Sequence, residues 1–165
     1  MPLENELKLV KSPVCKAAKA ILQIANNGLE ADYKADNSRV TAADLQSNRI
    51  LKETLTGSFG SYGWVSEETY DNPARLECER VWIVDPLDGT REFTERIPEF
   101  VISVALVEQG EAILGVVYNP CTGELFEAVR GGGPSLTVDR SVRIIVWTES
   151  SQSKLAAQIL KRVGL

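Results

Sequence analysis

The sequence has 165 residues, of which 18 are basic and 23 acidic, giving a formal net charge of −5, and it contains no histidine. The lack of histidine excludes Ser-His-Asp and Cys-His triads and an imidazole general base. It also excludes a histidine-bearing zinc site, and three cysteines are too few for a Cys₄ site. Because the basic residues are dispersed and the balance is acidic, nucleic acid is disfavoured as a partner. Catalysis would have to come from carboxylates, hydroxyls, lysines or a bound metal ion.

The length suits one domain, or one domain and part of a second. No apolar run reaches the length of a membrane span, and no signal-peptide core follows the acidic N-terminus. The three cysteines are widely spaced, which predicts reduced, buried thiols. We therefore expect a cytoplasmic protein without a membrane span.

Two helices and a short strand are predicted in the first third of the chain. Ser12 and Pro13 form an N-cap and first-turn pair, so the first helix is expected to begin there and to close near Gly28. Residues 29–34 alternate as a half-buried strand does, and residues 36–38 form a turn. A second helix is predicted from Thr41 to about residue 55. Its expected inner face consists of Ala43, Ile50, Leu51 and Leu55.

Five further strands are predicted. Residues 64–66 form a short one, and residues 81–84 form a buried one that ends at Asp85 and Pro86. The other three follow at hairpin spacing, at residues 101–108, 112–118 and 124–129. This order predicts an α+β fold, in which an antiparallel sheet carries helices packed on one side.

The C-terminal residues form a separate pattern. Residues 143–147 read as a strand and residues 155–163 as an amphipathic helix, and a single strand–helix unit cannot bury its own faces. The prediction is a metal-binding α+β domain at residues 1–137, followed at 138–165 by the start of an incomplete C-terminal α/β domain.

The segment after the buried strand is the strongest candidate for chemistry. Asp85 ends the strand, Asp88 follows three residues later, and Leu87 can offer its carbonyl oxygen between them. Gly89 permits a sharp turn, and Thr90 can cap a helical turn whose N–H groups favour a phosphate. Such oxygen ligands suit Mg²⁺. The alternative interpretation is a plain strand-to-helix turn.

Other polar residues have similar competing interpretations. Glu67 and Glu68 follow a strand and can be a solvated pair. Asp44 can serve only as the third residue of a capping box. Lys34 and Asp36 can be a strand-end charge and a turn residue.

Four of these acids, taken together, favour a metal site. Asp44, Glu67, Asp85 and Asp88 each lie at the end of an element, and such ends can converge at one edge of a sheet. A carboxylate cluster repels itself unless cations are bound. With no histidine available, metal-assisted hydrolysis is the reaction class that fits best.

The motifs of this sequence resemble those of a known family. Residues 85–90, Asp-Pro-Leu-Asp-Gly-Thr, resemble the metal-binding signature of the inositol monophosphatase superfamily of Mg²⁺-dependent, lithium-sensitive phosphatases. Residues 34–44 and 66–68 are similar to its two upstream motifs, in the same order. Leu87, residues 91–93 and the Lys-Ala-Asp-Asn-Ser run look more like the 3′(2′),5′-bisphosphate nucleotidase branch. The resemblance implies the N-terminal half of the layered α/β/α/β/α sugar-phosphatase fold.

The resemblance also implies a set of metal ligands. Glu67, Asp85 and the Leu87 carbonyl would hold a first Mg²⁺, and Asp85 and Asp88 would hold a second. Glu67 would contact a third ion. The expected cofactor is therefore two or three Mg²⁺ ions.

The catalytic roles are implied in the same way. Asp44 and Thr90 would form a hydrogen-bonded pair that orients and deprotonates the attacking water, with Glu67 as a further catalytic residue. Asp88, Gly89 and Thr90 would bind the substrate phosphate. Arg39 occupies a position where the family usually has proline, and this difference predicts a less rigid turn before the second helix.

Three functional hypotheses follow. The first is a Mg²⁺-dependent phosphomonoesterase that removes the 3′-phosphate of adenosine 3′,5′-bisphosphate. The second is an inositol monophosphatase or another sugar phosphatase. The third is a truncated, non-catalytic metal-binding or partner domain, because the family's C-terminal Trp-Asp motif is not in this sequence. The expected partner is a small phosphorylated substrate. Neither nucleic acid nor a membrane is expected as a partner. A homo-oligomer is compatible with the sequence.

Overall fold

The computed structural model describes residues 3–27, 31–33, 39–131 and 133–137, and side chains within 3–27 and 40–131. The predicted turn at 36–38 and the predicted strand–helix unit at 138–165 lie outside the described residues, as do Lys34 and Asp36.

Helix α1 spans Glu4–Asn27 and is longer than predicted. The prediction that it begins at Ser12 is wrong, because Pro13 lies inside the helix and is buried. Proline removes one backbone hydrogen bond from a helix interior, but most helix stability in proteins comes from tertiary packing. The buried face around it supplies that packing, and it consists of Val10, Val14, Ala17, Ala18 and Ile21.

Helix α2 spans Ala42–Ser58, and Thr41 is its N-cap. Its capping box is complete: the Thr41 side chain accepts from the backbone of Ala43, and Asp44 accepts from the backbone N–H of Thr41. The predicted inner face is confirmed at Ala43, Leu51 and Leu55, which are fully buried. Ile50 is only partly buried.

The strands form one small and one large sheet. β1 (Ala31–Tyr33) pairs antiparallel with β2 (Arg39–Thr41). The six-stranded sheet follows chain order, β3 to β8. Its strands are β3 (Gly63–Ser66), β4 (Arg80–Asp88), β5 (Val101–Glu108), β6 (Glu111–Tyr118), β7 (Leu125–Val129) and β8 (Gly133–Thr137). A 3₁₀ helix (Pro73–Glu77) precedes β4, and helix α3 (Thr90–Thr94) follows it.

The large sheet differs from the prediction in three ways. It is mixed, because β3 runs parallel to β4 while the other pairs are antiparallel. β4 continues past Asp85 to Asp88. β8 was not predicted, since the Gly-Gly-Gly-Pro run reads as a break in the chain. Pro134 lies in β8, the last of the described strands in the sheet order, and proline within a sheet is typical of such an edge position.

Both long helices pack on one face of the large sheet, as predicted. Trp82, Val84 and Leu106 are fully buried in the same core cluster as the apolar faces of α1 and α2. The opposite face of the sheet carries a second, smaller buried cluster, formed by Val65, Ile83, Ala105 and Val107. No helix in the described part of the chain combines the length and apolar character needed to cross a membrane.

The three cysteines are free. The prediction of buried thiols is wrong for Cys121, which is exposed in the turn between β6 and β7. Cys15 and Cys78 are partly buried.

Candidate metal and phosphate site

The parallel pairing of β3 and β4 brings two of the predicted acids to the same edge of the sheet. Ser66 is the register partner of Val84, so the next residues along the two strands are Glu67 and Asp85. Because parallel strands end at the same edge, both acids occupy neighbouring positions there. The predicted convergence of these element ends is thus confirmed for Glu67 and Asp85 through a parallel pair that the sequence did not predict.

Asp85 begins an irregular stretch of β4. Its register partner is Ser103, and the ladder resumes only where Asp88 meets Val101. Pro86 and Leu87 therefore oppose a single residue of β5, which is the arrangement of a β-bulge. Asp85 is buried, and its Oδ1 accepts a hydrogen bond from the Leu87 N–H at 3.3 Å. The bulge holds the carboxylate of Asp85 against the backbone that follows it.

Gly89 connects this bulge to α3 in a left-handed conformation. Its φ is +94°, and an added Cβ would lie 2.9 Å from the carbonyl oxygen of Glu99. Residues with a side chain rarely adopt this backbone, and backbone oxygen leaves no room for one. Gly89 also accepts the first hydrogen bond of the helical turn, from the N–H of Phe93 at 2.8 Å.

Asp44 and Thr90 form the predicted pair. The Thr90 hydroxyl donates to Asp44 Oδ1 at 2.8 Å and lies 3.2 Å from the Leu87 carbonyl oxygen. The other carboxylate oxygen, Oδ2, accepts from the Thr41 N–H at 2.7 Å and the Thr41 hydroxyl at 2.6 Å. The capping interpretation and the catalytic interpretation of Asp44 are thus both compatible with its contacts.

Two further residues of α2 reach the site, and sequence reasoning missed both. The fully buried Ser47 donates to the Pro86 carbonyl oxygen at 2.7 Å. Asn48 accepts from the Ser66 hydroxyl at 2.7 Å and donates to the Thr69 hydroxyl at 3.0 Å. The available signal was helical spacing, because these residues lie three and four positions after Asp44 and so share its face.

The donor set fits Mg²⁺ in its chemistry. Glu67, Asp85 and Asp88 offer carboxylates and Leu87 offers a carbonyl, all of them hard oxygen donors. Among the described residues, no group of three or more acidic, cysteine or histidine side chains lies close enough together to hold a metal ion. The fit therefore rests on donor type, on the buried carboxylate of Asp85 and on the shared strand edge.

A second polar cluster lies at the other end of β4. The Arg80 guanidinium donates to Glu6 at 3.0 Å, to Tyr62 at 3.0 Å and to Glu108 at 2.8 Å. Hydrogen bonds from Arg80 and then Arg130 lower the pKa of Glu108. Burial, followed by the hydrogen bond to Glu6, raises the pKa of Tyr62. This cluster joins α1 to the sheet and is separate from the candidate site.

Fold and site together define an α+β domain with an oxygen-donor edge suited to a divalent cation. A family model described as the inositol monophosphatase family matches residues 4–160. The chain belongs to the inositol monophosphatase family.

Relatives of two kinds match at the same sequence identity. An inositol-1-monophosphatase from Rhizobium meliloti is 40% identical over 140 residues, covering 84% of this chain and 52% of that protein. The 3′(2′),5′-bisphosphate nucleotidase CysQ from Salmonella typhimurium is 40% identical over 127 residues, covering 72% of this chain and 51% of that protein. The chain spans about half the length of these relatives.

Solved structures give the same fold. The extragenic suppressor protein suhB from Bartonella henselae has a TM-score of 0.76 at 30% identity, over 87% of this chain and 56% of that one. An IMPase/NADP phosphatase complexed with Mg²⁺ and phosphate has a TM-score of 0.73 at 26% identity, over 82% of this chain and 52% of that one.

Proposed function

We propose that the protein containing this chain is a Mg²⁺-dependent phosphomonoesterase that hydrolyses the 3′-phosphate of adenosine 3′,5′-bisphosphate. The observation that carries the proposal is the 2.8 Å hydrogen bond from the Thr90 hydroxyl to the buried Asp44. This pair lies directly beside the Asp85–Asp88 segment, since Thr90 also contacts the Leu87 carbonyl. The proposed proton acceptor is therefore linked through Thr90 to the Leu87 carbonyl, one of the proposed ligands.

The roles of the residues follow from their contacts. Since the Thr90 hydroxyl proton is donated to Asp44, its oxygen lone pairs can accept a hydrogen bond from a water. Asp44 is the carboxylate behind that hydroxyl and receives the proton as the water is activated. Glu67, Asp85, Asp88 and the Leu87 carbonyl would hold Mg²⁺. When bound, Mg²⁺ supplies positive charge that lowers the pKa of water and stabilises the phosphate.

The phosphate is expected to contact the start of α3. Asp88, Gly89 and Thr90 are the proposed phosphate-binding residues, with Asp88 acting through the cation because two negative groups repel.

The nucleotide substrate is the more specific part of the proposal. It is supported by the likeness of Leu87 and residues 91–93 to the nucleotidase branch. An inositol phosphate is the second candidate, because the Rhizobium relative with that name is as similar to this chain as the nucleotidase is.

The test is phosphate release with Mg²⁺ from adenosine 3′,5′-bisphosphate and from inositol 1-phosphate. The chain is assayed alone and fused to the C-terminal half of the Salmonella nucleotidase. We expect turnover of the bisphosphate by the fusion and weak or no turnover by the chain alone, and Asp85→Asn should lower the turnover of the fusion by at least about 100-fold because a ligand charge is lost. Asp71→Asn is the matched control, since Asp71 is exposed and pairs only locally with Arg75.

Three results would count against the proposal. Release from inositol phosphate alone would favour the second candidate. Full activity of Asp85→Asn would exclude the metal role. Mg²⁺ binding by calorimetry without turnover in either form would favour a non-catalytic domain.

We also propose that residues 1–137 are the metal-binding domain and that residues 138–165 begin a second one. A chain ending at residue 137 should then unfold in a single cooperative thermal transition. Loss of that transition on truncation would contradict the boundary.

A further inference from the structure

We propose that Asn48 is a positioning residue that fixes the turn bearing Glu67. The inference rests on the proposed function only in taking Glu67 as a metal ligand. Asn48 itself lies on α2, outside the motifs that define the candidate site.

The turn after β3 presents two acids in succession. The N–H of Thr69 donates to the carbonyl oxygen of Ser66 at 3.2 Å, so Glu67 and Glu68 are the two central residues of a four-residue turn. The N–H of Glu68 also lies 3.3 Å from the Ser66 hydroxyl oxygen. The backbone of Glu67 is therefore set by its two flanking hydroxyl residues, Ser66 and Thr69.

The Asn48 side chain holds both ends of this turn. Its Oδ1 accepts from the Ser66 hydroxyl at 2.7 Å, and its Nδ2 donates to the Thr69 hydroxyl at 3.0 Å. Asn48 and Ser66 are both buried. A single planar amide thereby fixes the separation of the two hydroxyls, which a shorter or apolar side chain cannot do.

The same helix face also holds the rest of the site. Asp44 accepts from Thr90, and Ser47 donates to the Pro86 carbonyl oxygen. With Asn48 attached to the Glu67 turn, one helix contacts both that turn and the stretch from Pro86 to Thr90, and so sets their relative position. A carboxylate held in place before the cation arrives loses less conformational entropy on binding, so Asn48 should strengthen Mg²⁺ affinity without contacting the ion.

The experiment measures the turn and the cation separately, in the full chain. We expect Asn48→Ala to speed amide hydrogen exchange at Glu68 and Thr69 in metal-free protein. It should also weaken Mg²⁺ binding by about 10-fold in calorimetry, the effect usual for groups that orient a ligand. Thr69→Val should do the same, because it removes the other end of the contact, while Thr69→Ser keeps the hydroxyl and should retain both properties.

Tyr62→Phe is the control for general destabilisation. It removes hydrogen bonds to Glu6 and Arg80 at the opposite end of the sheet, so it should lower the melting temperature and leave the exchange at Glu68 unchanged. If Asn48→Ala does not fold, Thr69→Val decides.

The inference is overturned if the folded variants keep the exchange rates of the unaltered protein at Glu68 and Thr69. It is also overturned if exchange rises while Mg²⁺ affinity stays the same. Should the unaltered chain bind no Mg²⁺, the proposed metal site fails, and the exchange result alone then decides the role of Asn48 in the turn.

Discussion

Thr90 links the N-terminal cap of α2 to the candidate site by a hydrogen bond. Its hydroxyl donates to the buried Asp44, which lies 46 residues earlier in the chain, and is near the Leu87 carbonyl, so it connects α2 with the end of β4. A buried carboxylate that loses a partner is penalised, because its desolvation is no longer compensated. The hydroxyl should therefore matter for both stability and turnover.

Replacing Thr90 with valine tests this directly. Thr90→Val should lower kcat by at least about 100-fold, the lower end of general acid–base effects. It should also lower the free energy of unfolding by about 1–3 kcal/mol. Thr90→Ser keeps the hydroxyl and should stay near the unaltered protein in both steady-state kinetics and urea unfolding. Equal losses in the two variants would show that the hydroxyl alone does not account for the effect, because serine keeps it.

Single residues differed in how well the sequence revealed them. The motif containing Asp85 and Thr90 is local, so its spacing and its resemblance to a family identified it. Asn48 was missed because its partners, Ser66 and Thr69, lie about 20 residues away and hydroxyls are common on any surface. Only the packing of α2 against the end of β3 makes this asparagine informative.

At the scale of elements, the link between β4 and α3 depends on one backbone conformation. Gly89 has φ +94° and lies against the backbone of Glu99 and Phe100. The same glycine ends the bulged strand and begins the helical turn, so strain there would be transmitted to Asp88 and Thr90.

A pair of alanine substitutions separates strain from crowding. Gly89→Ala should cost about 2–4 kcal/mol of unfolding free energy in urea titrations, since both the positive φ and the close contact are penalised. Gly110→Ala, with φ +80° and no atom within 4 Å of the added Cβ, should cost only about 1 kcal/mol. Similar losses at both positions would exclude crowding at Gly89.

The elements themselves were predicted best where local turn chemistry decides. β5 matches its predicted range, and its turn into β6 uses Gln109 and Gly110, both with positive φ. The predicted start of α1 was wrong because proline is favoured in the first turn of a helix, so Pro13 indicated a helix beginning there. Its position inside the helix is explained by its burial. The parallel pairing of β3 with β4 was missed, since no short-range pattern specifies which distant strands pair.

At the scale of the whole molecule, Arg80 joins the beginning of the chain to the sheet. It pairs with Glu6 of α1 and with Glu108 of β5, and its guanidinium carbon lies 5.7 Å from the Tyr62 ring centre. Arg130 extends the cluster by pairing with Glu108 at 2.8 Å. Ion pairs therefore join α1 to the end of the sheet that lies opposite the candidate site.

This cluster predicts part of the acid sensitivity of the fold. Because Arg80 and Arg130 lower the pKa of Glu108 below 4.5, its carboxylate stabilises the protein above that pH. The contribution should be lost as pH falls through the folded pKa. Glu108→Gln should flatten the fall in melting temperature below about pH 4.5, the ordinary carboxyl range. Glu111→Gln is the control, because Glu111 is 76% exposed and 3.5 Å from Arg130; a steep acid limb in both variants would contradict the assignment.

The double use of Asp44 has an evolutionary consequence. Its carboxylate completes the cap of α2 through Thr41 and also accepts from Thr90. In a gene copy released from selection for turnover, selection for a folded chain would still preserve Asp44. The Thr90 hydroxyl would be preserved for the same reason, because it compensates the other oxygen of that buried carboxylate. Among descendants of this sequence, retention of Asp44 and Thr90 would therefore mark a folded chain and would not by itself mark a working enzyme.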